Sequence, residues 1–241
     1  MAFLITLVAT IAVTALLRNP IKNAPWVFYI LAILLDVLLI ASSGLVLPLK
    51  LRIAISYLMR RGGLGVAMFV LVMYIGVFPR NGKIGHWFRP IRAELSIIAC
   101  ILIAGHMCAF LPAYLPLLLG GSLVKIHVGG AIVIALLLLV LVLLLGITSF
   151  RFVKRHMKAR PWKKLQRLAY VFYVLIFAHL ILMLGPAAFT GSGGGRTTVT
   201  AIVYFVVFGA YVVLRLWRAK QDRIEKVDLV ETVMDQGFTS V

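Results

Sequence analysis

Acidic side chains are nearly missing from this chain. Of 241 residues only seven are Asp or Glu, against 25 Lys or Arg. A surplus of that sign suits nucleic acid or a membrane surface. Placement decides between them. The basic residues cluster between long apolar runs, which is the pattern of membrane loops, so no nucleic-acid partner is expected. Cysteine is scarce as well. Cys100 and Cys108 sit eight apart on one apolar stretch, a spacing that suits neither a zinc site nor an evident disulfide. Several catalytic signatures are absent: no GxGxxG, no Walker loop, no CxxCH haem attachment and no HExxH. The glycine-rich GSGGG at 191–195 follows no strand, so it reads as a flexible loop and not as a phosphate cradle.

What is present is hydrocarbon. The chain is 63% hydrophobic with mean hydropathy +1.07, well above the roughly half-apolar composition of soluble domains. A spanning helix needs about 20 mostly apolar residues. Seven stretches qualify or come close: 2–17, 26–47, 63–78, 93–112, 127–149, 165–185 and 198–217. The first lacks the basic n-region and small-x-small site of a signal peptide and is kept as a helix. The breaks carry turn chemistry at Asn19-Pro20, Pro79, Pro90, Pro112, Pro116, Gly120-Gly121 and Pro186. The expected fold is an all-α polytopic membrane bundle: an added N-terminal helix and loop over 1–25, a core over 26–217, and a tail over 218–241. Nineteen of the 25 basic residues fall in or beside the loops after helices one, three and five and the tail, and six fall in the others. The positive-inside rule puts the first set, and with it the C-terminus, in the cytoplasm. Residues 49–61, which place Lys50, Arg52, Arg60 and Arg61 on the opposite side, read as an interfacial helix. The mixed-charge tail reads as a short amphipathic helix.

Ionisable groups inside a membrane are costly and mark function by default. His106 lies fourteen residues beyond Arg92, about 21 Å along a helix, and His179 lies fifteen beyond Lys164, about 22 Å. Both helices enter from the same side, so the two imidazoles share one depth. Two neutral imidazoles facing each other at one level can ligate a haem iron axially. Asp36, mid-helix, Glu94, at a helix mouth, and His127, opening the fifth helix, are further candidates at a haem edge or on a proton path. His86 and His156 lie in basic loops and read as solvated.

The stretch 160–179, RPWKKLQRLAYVFYVLIFAH, resembles the fifth helix of the haem-bearing membrane subunit of the bacterial periplasmic methionine sulfoxide reductase system. RAELSIIACILIAGH, 92–106, resembles that family's third helix, and Thr148-Ser149 matches the pair before its basic loop. The family belongs to the wider ferric reductase-like transmembrane group, and the resemblance covers about residues 60–217. It implies a six-helix ferric reductase-like core, with His106 and His179 as axial ligands of one b-type haem. Where two-haem members carry a second histidine, this chain has Gln166, and Arg92 stands at the corresponding place before His106. One haem is therefore implied. A flavin (FMN or FAD) or a quinone would take the cytoplasmic half, near Arg92, Lys163, Gln166 and Arg167.

The expected function is a b-type cytochrome subunit in a bacterial inner membrane. It would carry electrons from a cytoplasmic flavin reductase or the quinone pool to an extracytoplasmic redox protein or metal ion. Two rivals stand beside it. One is a cofactor-free transporter or scaffold that uses the intramembrane acids and histidines. The other is a haem-bearing anchor of a larger redox complex.

Overall fold

The computed structural model describes residues 2–42, 48–59, 62–79, 82–120 and 125–238, and every regular element among them is helical. Residues 43–47 of the expected second span, with Arg60, Arg61 and Gly121, lie outside the described residues. The elements are α1 (Ala2–Leu16), α2 (Arg18–Asn23), α3 (Pro25–Ala41), α4 (Leu49–Leu58), α5 (Gly63–Ile75), α6 (Lys83–Phe88), α7 (Arg92–Leu119), α8 (Ile126–Ser149), α9 (Arg151–His156), α10 (Ala159–Gln166), α11 (Leu168–Phe189) and α12 (Gly194–Phe238). A 3-10 turn, Arg89–Ile91, joins α6 to α7. Four stretches, Lys83–Leu117, Ile126–Ser149, Ala159–Phe189 and Gly194–Ile224, are long and apolar enough to cross a membrane. Three shorter apolar helices, Phe3–Leu16, Pro25–Ala41 and Gly63–Ile75, accompany them.

Three breaks expected at prolines are not breaks. Helix α7 runs through Pro112 and Pro116, and α11 runs through Pro186. Each frees the one carbonyl four residues before it, and membrane helices tolerate this where neighbouring groups take up the freed carbonyl. The tail also differs from expectation. Helix α12 continues without interruption across 217 and 218, because no proline or glycine stands between Gly209 and Gly237.

The bundle is organised around α7, which packs on α3, α5 and α8, while α8 packs on α11, α11 on α12 and α1 on α5. Close approach is bought with missing side chains. A β-carbon on Gly65 would stand 2.9 Å from Ile103, and one on Gly146 would stand 3.1 Å from Cys100. Glu94 meets Arg151 and Cys100 meets Gly146, so α7 and α8 run antiparallel. Thr148 meets Gln166 and Ala131 meets His179, so α8 and α11 do too. Helices α7 and α11 are thus parallel.

The core is apolar and aromatic, with Phe69, Phe172, Tyr173, Tyr204 and Phe208 buried together. The outward faces remain greasy: Ile33, Leu34 and Val37 of α3 and Val140 of α8 are exposed, as a lipid-facing surface requires. Buried threonines satisfy themselves locally. On α1, Thr10 Oγ1 donates to Thr6 O and Thr14 Oγ1 to Thr10 O, each at 2.7 Å, the back-bonding that lets hydroxyls sit in a helix without solvent.

The tightest helix contact is α3 on α7, where a β-carbon on Gly105 would overlap the Asp36 carboxyl group. Gly105→Ala is expected to destabilise the bundle by about 1–3 kcal/mol through overpacking. Thermal unfolding in detergent measures it, and a melting temperature equal to wild type would show that α3 and α7 do not meet at this point.

Candidate functional site

His106 and His179 project from the parallel helices α7 and α11, both of which pack on α8. Both residues are partly buried. The Nδ1–H of His106 donates to Met59 O at 3.2 Å, and the Nδ1–H of His179 donates to Ala131 O at 3.0 Å. A carbonyl only accepts, so each ring must carry its proton on Nδ1. That fixes the tautomer and leaves the Nε2 lone pair free, as at histidines that ligate a metal. The ring of His106 also lies beside Gly62, whose φ of 65° favours glycine. A β-carbon there would stand 3.4 Å from His106 Nε2. No group of three or more His, Cys, Asp or Glu able to hold a bare metal ion occurs among the described residues. A haem iron asks for less, since its macrocycle supplies four ligands and the protein two. Two anchored imidazoles with free Nε2 atoms, and the glycine flank beside one of them, fit that demand.

The remaining candidates separate. His127 stands in the first turn of α8, four residues before Ala131 and so on the same helix face as the carbonyl that holds His179. Asp36 is 6% exposed, pressed on Gly105 next to His106, and its Oδ1 has no hydrogen-bond partner. Glu94 does not belong with them. It lies twelve residues before His106, about 18 Å away along α7, and it accepts from Arg151 Nη2 at 2.5 Å. Its carboxylate is buried while Arg151 is open to solvent, so the pair ties α7 to the start of α9 at the far end of the bundle.

At that far end lies an open cleft of about 460 Å³. Arg92, Lys163, Gln166 and Arg167, drawn together by sequence, all line it. Arg215, Trp162, Tyr170 and Tyr211 join them, and no acidic residue does. Each wall is fixed by local chemistry. Arg92 Nε donates to Val72 O at 3.2 Å, with Gly76 leaving room for the guanidinium. Arg215 Nε donates to the Tyr170 hydroxyl at 3.2 Å and lies over its ring. Trp162 Nε1 donates to Thr148 O at 3.0 Å, and Gln166 Nε2 donates to Thr148 Oγ1 at 3.1 Å, so the last turn of α8 pins α10. Four cations and three aromatic rings around one concavity suit a planar anion.

Sequence reasoning missed Arg215, Tyr170, Tyr211 and Trp162 as cleft residues. Arg215 had a readable signal, a cation four residues beyond an aromatic (Tyr211) near the end of an apolar helix. Met59 and Ala131 had none, because they act through carbonyls and any residue would serve.

No family model matches the chain, and no solved structure matches it. A protein of Treponema pallidum (strain Nichols), described only as an uncharacterized protein, is 39% identical over 156 residues. The match takes in 64% of this chain and 42% of that protein's length, so the chain spans less than half of the relative.

Trp162→Phe deletes a donor and leaves Thr148 O without its partner, a loss of about 1 kcal/mol. Limited trypsin digestion in detergent is expected to cut the basic segment 151–164 faster than in wild type. An unchanged cleavage rate would show that the indole does not hold α10 in place.

Proposed function

We propose that this chain is a one-haem b-type cytochrome of the ferric reductase-like kind that moves electrons across a bacterial inner membrane. The observation that carries the reading is the pair of histidines on parallel helices, each held at Nδ1 by a backbone carbonyl and free at Nε2. Bound there, a haem would supply reversible one-electron chemistry. The chain's own part is to hold two imidazoles at one depth, fix their tautomers and keep water out. The aromatic packing between the two ends serves the last purpose: Tyr211, which lines the cleft, meets Tyr173 at 4.7 Å, Tyr173 stacks on Phe208 at 4.4 Å, and Phe208 meets Phe177 at 5.2 Å.

The cleft is the electron-entry side in this reading. Most described basic residues gather at its end of the bundle, which the positive-inside rule assigns to the cytoplasm, together with the C-terminal end of α12. Arg92, Lys163, Arg167 and Arg215 would hold the phosphate of a flavin, and Trp162, Tyr170 and Tyr211 would face its ring; a quinone would use the rings alone. The side chain of Gln166, where two-haem members of the resembled family carry histidine, is committed to Thr148, which supports one haem. The donor is a cytoplasmic flavin reductase or the quinone pool, and the acceptor is an extracytoplasmic redox protein or metal ion. An anchor role in a larger redox complex uses the same chemistry.

A second reading, a cofactor-free proton path or transporter, draws on Asp36, a buried acid with an oxygen lacking a partner. The dithionite-reduced minus oxidised spectrum of purified protein separates the two. A sharp b-type α-band, lost in both His106→Ala and His179→Ala, is the expected result. A flat spectrum from haem-replete cells would sink the cytochrome and favour the proton path. For the cleft, titration with FMN followed by quenching of its fluorescence is expected to show binding. Arg92→Gln, Lys163→Gln and Arg167→Gln should each weaken it about tenfold to a hundredfold, the effect of one charged hydrogen bond. Equal affinity in all three would place the flavin elsewhere.

A further inference from the structure

Helix α4 is poorly suited to water. It has ten residues, and Leu49, Leu51, Ile53, Tyr57 and Leu58 are each between 39% and 63% exposed. Among the described side chains, Ile55 on this helix and Met59 just after it are buried, packed with Ala32 and Leu39 of α3 and Ile98 and Leu102 of α7. Lys50 and Arg52 are exposed on the same helix, and no acidic residue accompanies them. A short helix with greasy flanks and snorkelling cations lies in the plane of a membrane interface.

The end of this helix is also the clasp of His106. Met59 O accepts from Gly62 N–H at 2.9 Å and from His106 Nδ1–H at 3.2 Å, which uses both of its lone pairs. Gly62 then caps α5 by accepting from Val66 N–H at 2.9 Å, with its own Cα against the imidazole. A shift of α4 therefore carries the carbonyl that orients His106.

We propose that α4 is a membrane-surface strap that recognises anionic phospholipid headgroups through Lys50 and Arg52 and transmits its seating to the His106 imidazole through the Met59 carbonyl. The lipid part stands on α4 alone; the effect on a ligated iron rests on the haem reading. Each basic residue near an anionic surface contributes about fivefold to association, so the two together act strongly enough to change how α4 is seated.

The test places the full chain in nanodiscs of purely zwitterionic lipid or of lipid containing phosphatidylglycerol. Hydrogen exchange by mass spectrometry reads peptides covering 49–59. Slower exchange in the anionic discs is expected, with Lys50→Gln/Arg52→Gln abolishing the difference and leaving other helices unchanged. Equal exchange in both discs overturns the strap. In the same samples the ferric haem's electron paramagnetic resonance spectrum, which reports imidazole orientation, is expected to differ between lipids for wild type and to coincide for the double variant. A lipid-dependent exchange rate with superimposable haem spectra overturns the link to His106. A preparation without haem sinks the cytochrome reading, while the exchange comparison still decides the lipid surface.

Discussion

Hydrocarbon offers a polypeptide no hydrogen bonds, and nearly every feature of this chain follows from that constraint. Backbone groups in such surroundings must pair within their own helix, and each polar side chain must find a partner within reach. The α1 threonines bond back to their own helix, Glu94 reaches Arg151, and the two histidines donate to carbonyls of neighbouring elements. These last bonds matter most. A backbone carbonyl already engaged in or near a helix end gives up its second lone pair, and in return an imidazole is fixed in ring plane and tautomer. Interhelical packing and the orientation of the imidazoles are thereby one and the same arrangement.

The constraint also explains the contrast between the two ends. At one end α3, α4, α5 and α7 converge on His106, and the cations of α4, Lys50 and Arg52, are turned out to the surface. At the other, basic residues of α7, α10, α11 and α12 surround a cleft without a counter-charge. Charge accumulates where water and headgroups can solvate it, and it is absent where they cannot. Asp36 is the exception, an acid seated against Gly105 deep in α3 and α7 with one oxygen unpartnered. A residue so costly to bury is a functional candidate in either reading of the protein.

Much of the architecture was legible from hydropathy, because length and apolarity alone decide whether a helix can cross a bilayer. Four of the seven stretches fall in helices long and apolar enough to cross, the other three in shorter apolar helices, and the segment 49–61 contains the short helix α4. The ends of α7 and α11 were misread at Pro112, Pro116 and Pro186. Proline rules learned from water count the lost hydrogen bond but not the readiness of a membrane helix to continue through it. The tail was read as a separate piece, since a change from apolar to charged composition looks like a boundary although the backbone has no cause to break there.

By itself the sequence determined how its polar residues are spaced along the helices, since helical rise converts spacing into axial distance: His106 about 21 Å beyond Arg92 and His179 about 22 Å beyond Lys164. Tertiary structure alone decided what they meet. It set the two imidazoles on parallel helices, gave them the carbonyls of Met59 and Ala131, moved Glu94 away to Arg151, and added Arg215, Tyr170, Tyr211 and Trp162 to the cleft. The reason is physical. A carbonyl is the same in every residue, and which one faces a histidine depends on how helices pack, a property spread over small contacts such as Gly62, Gly105 and Gly146 that no local spacing encodes.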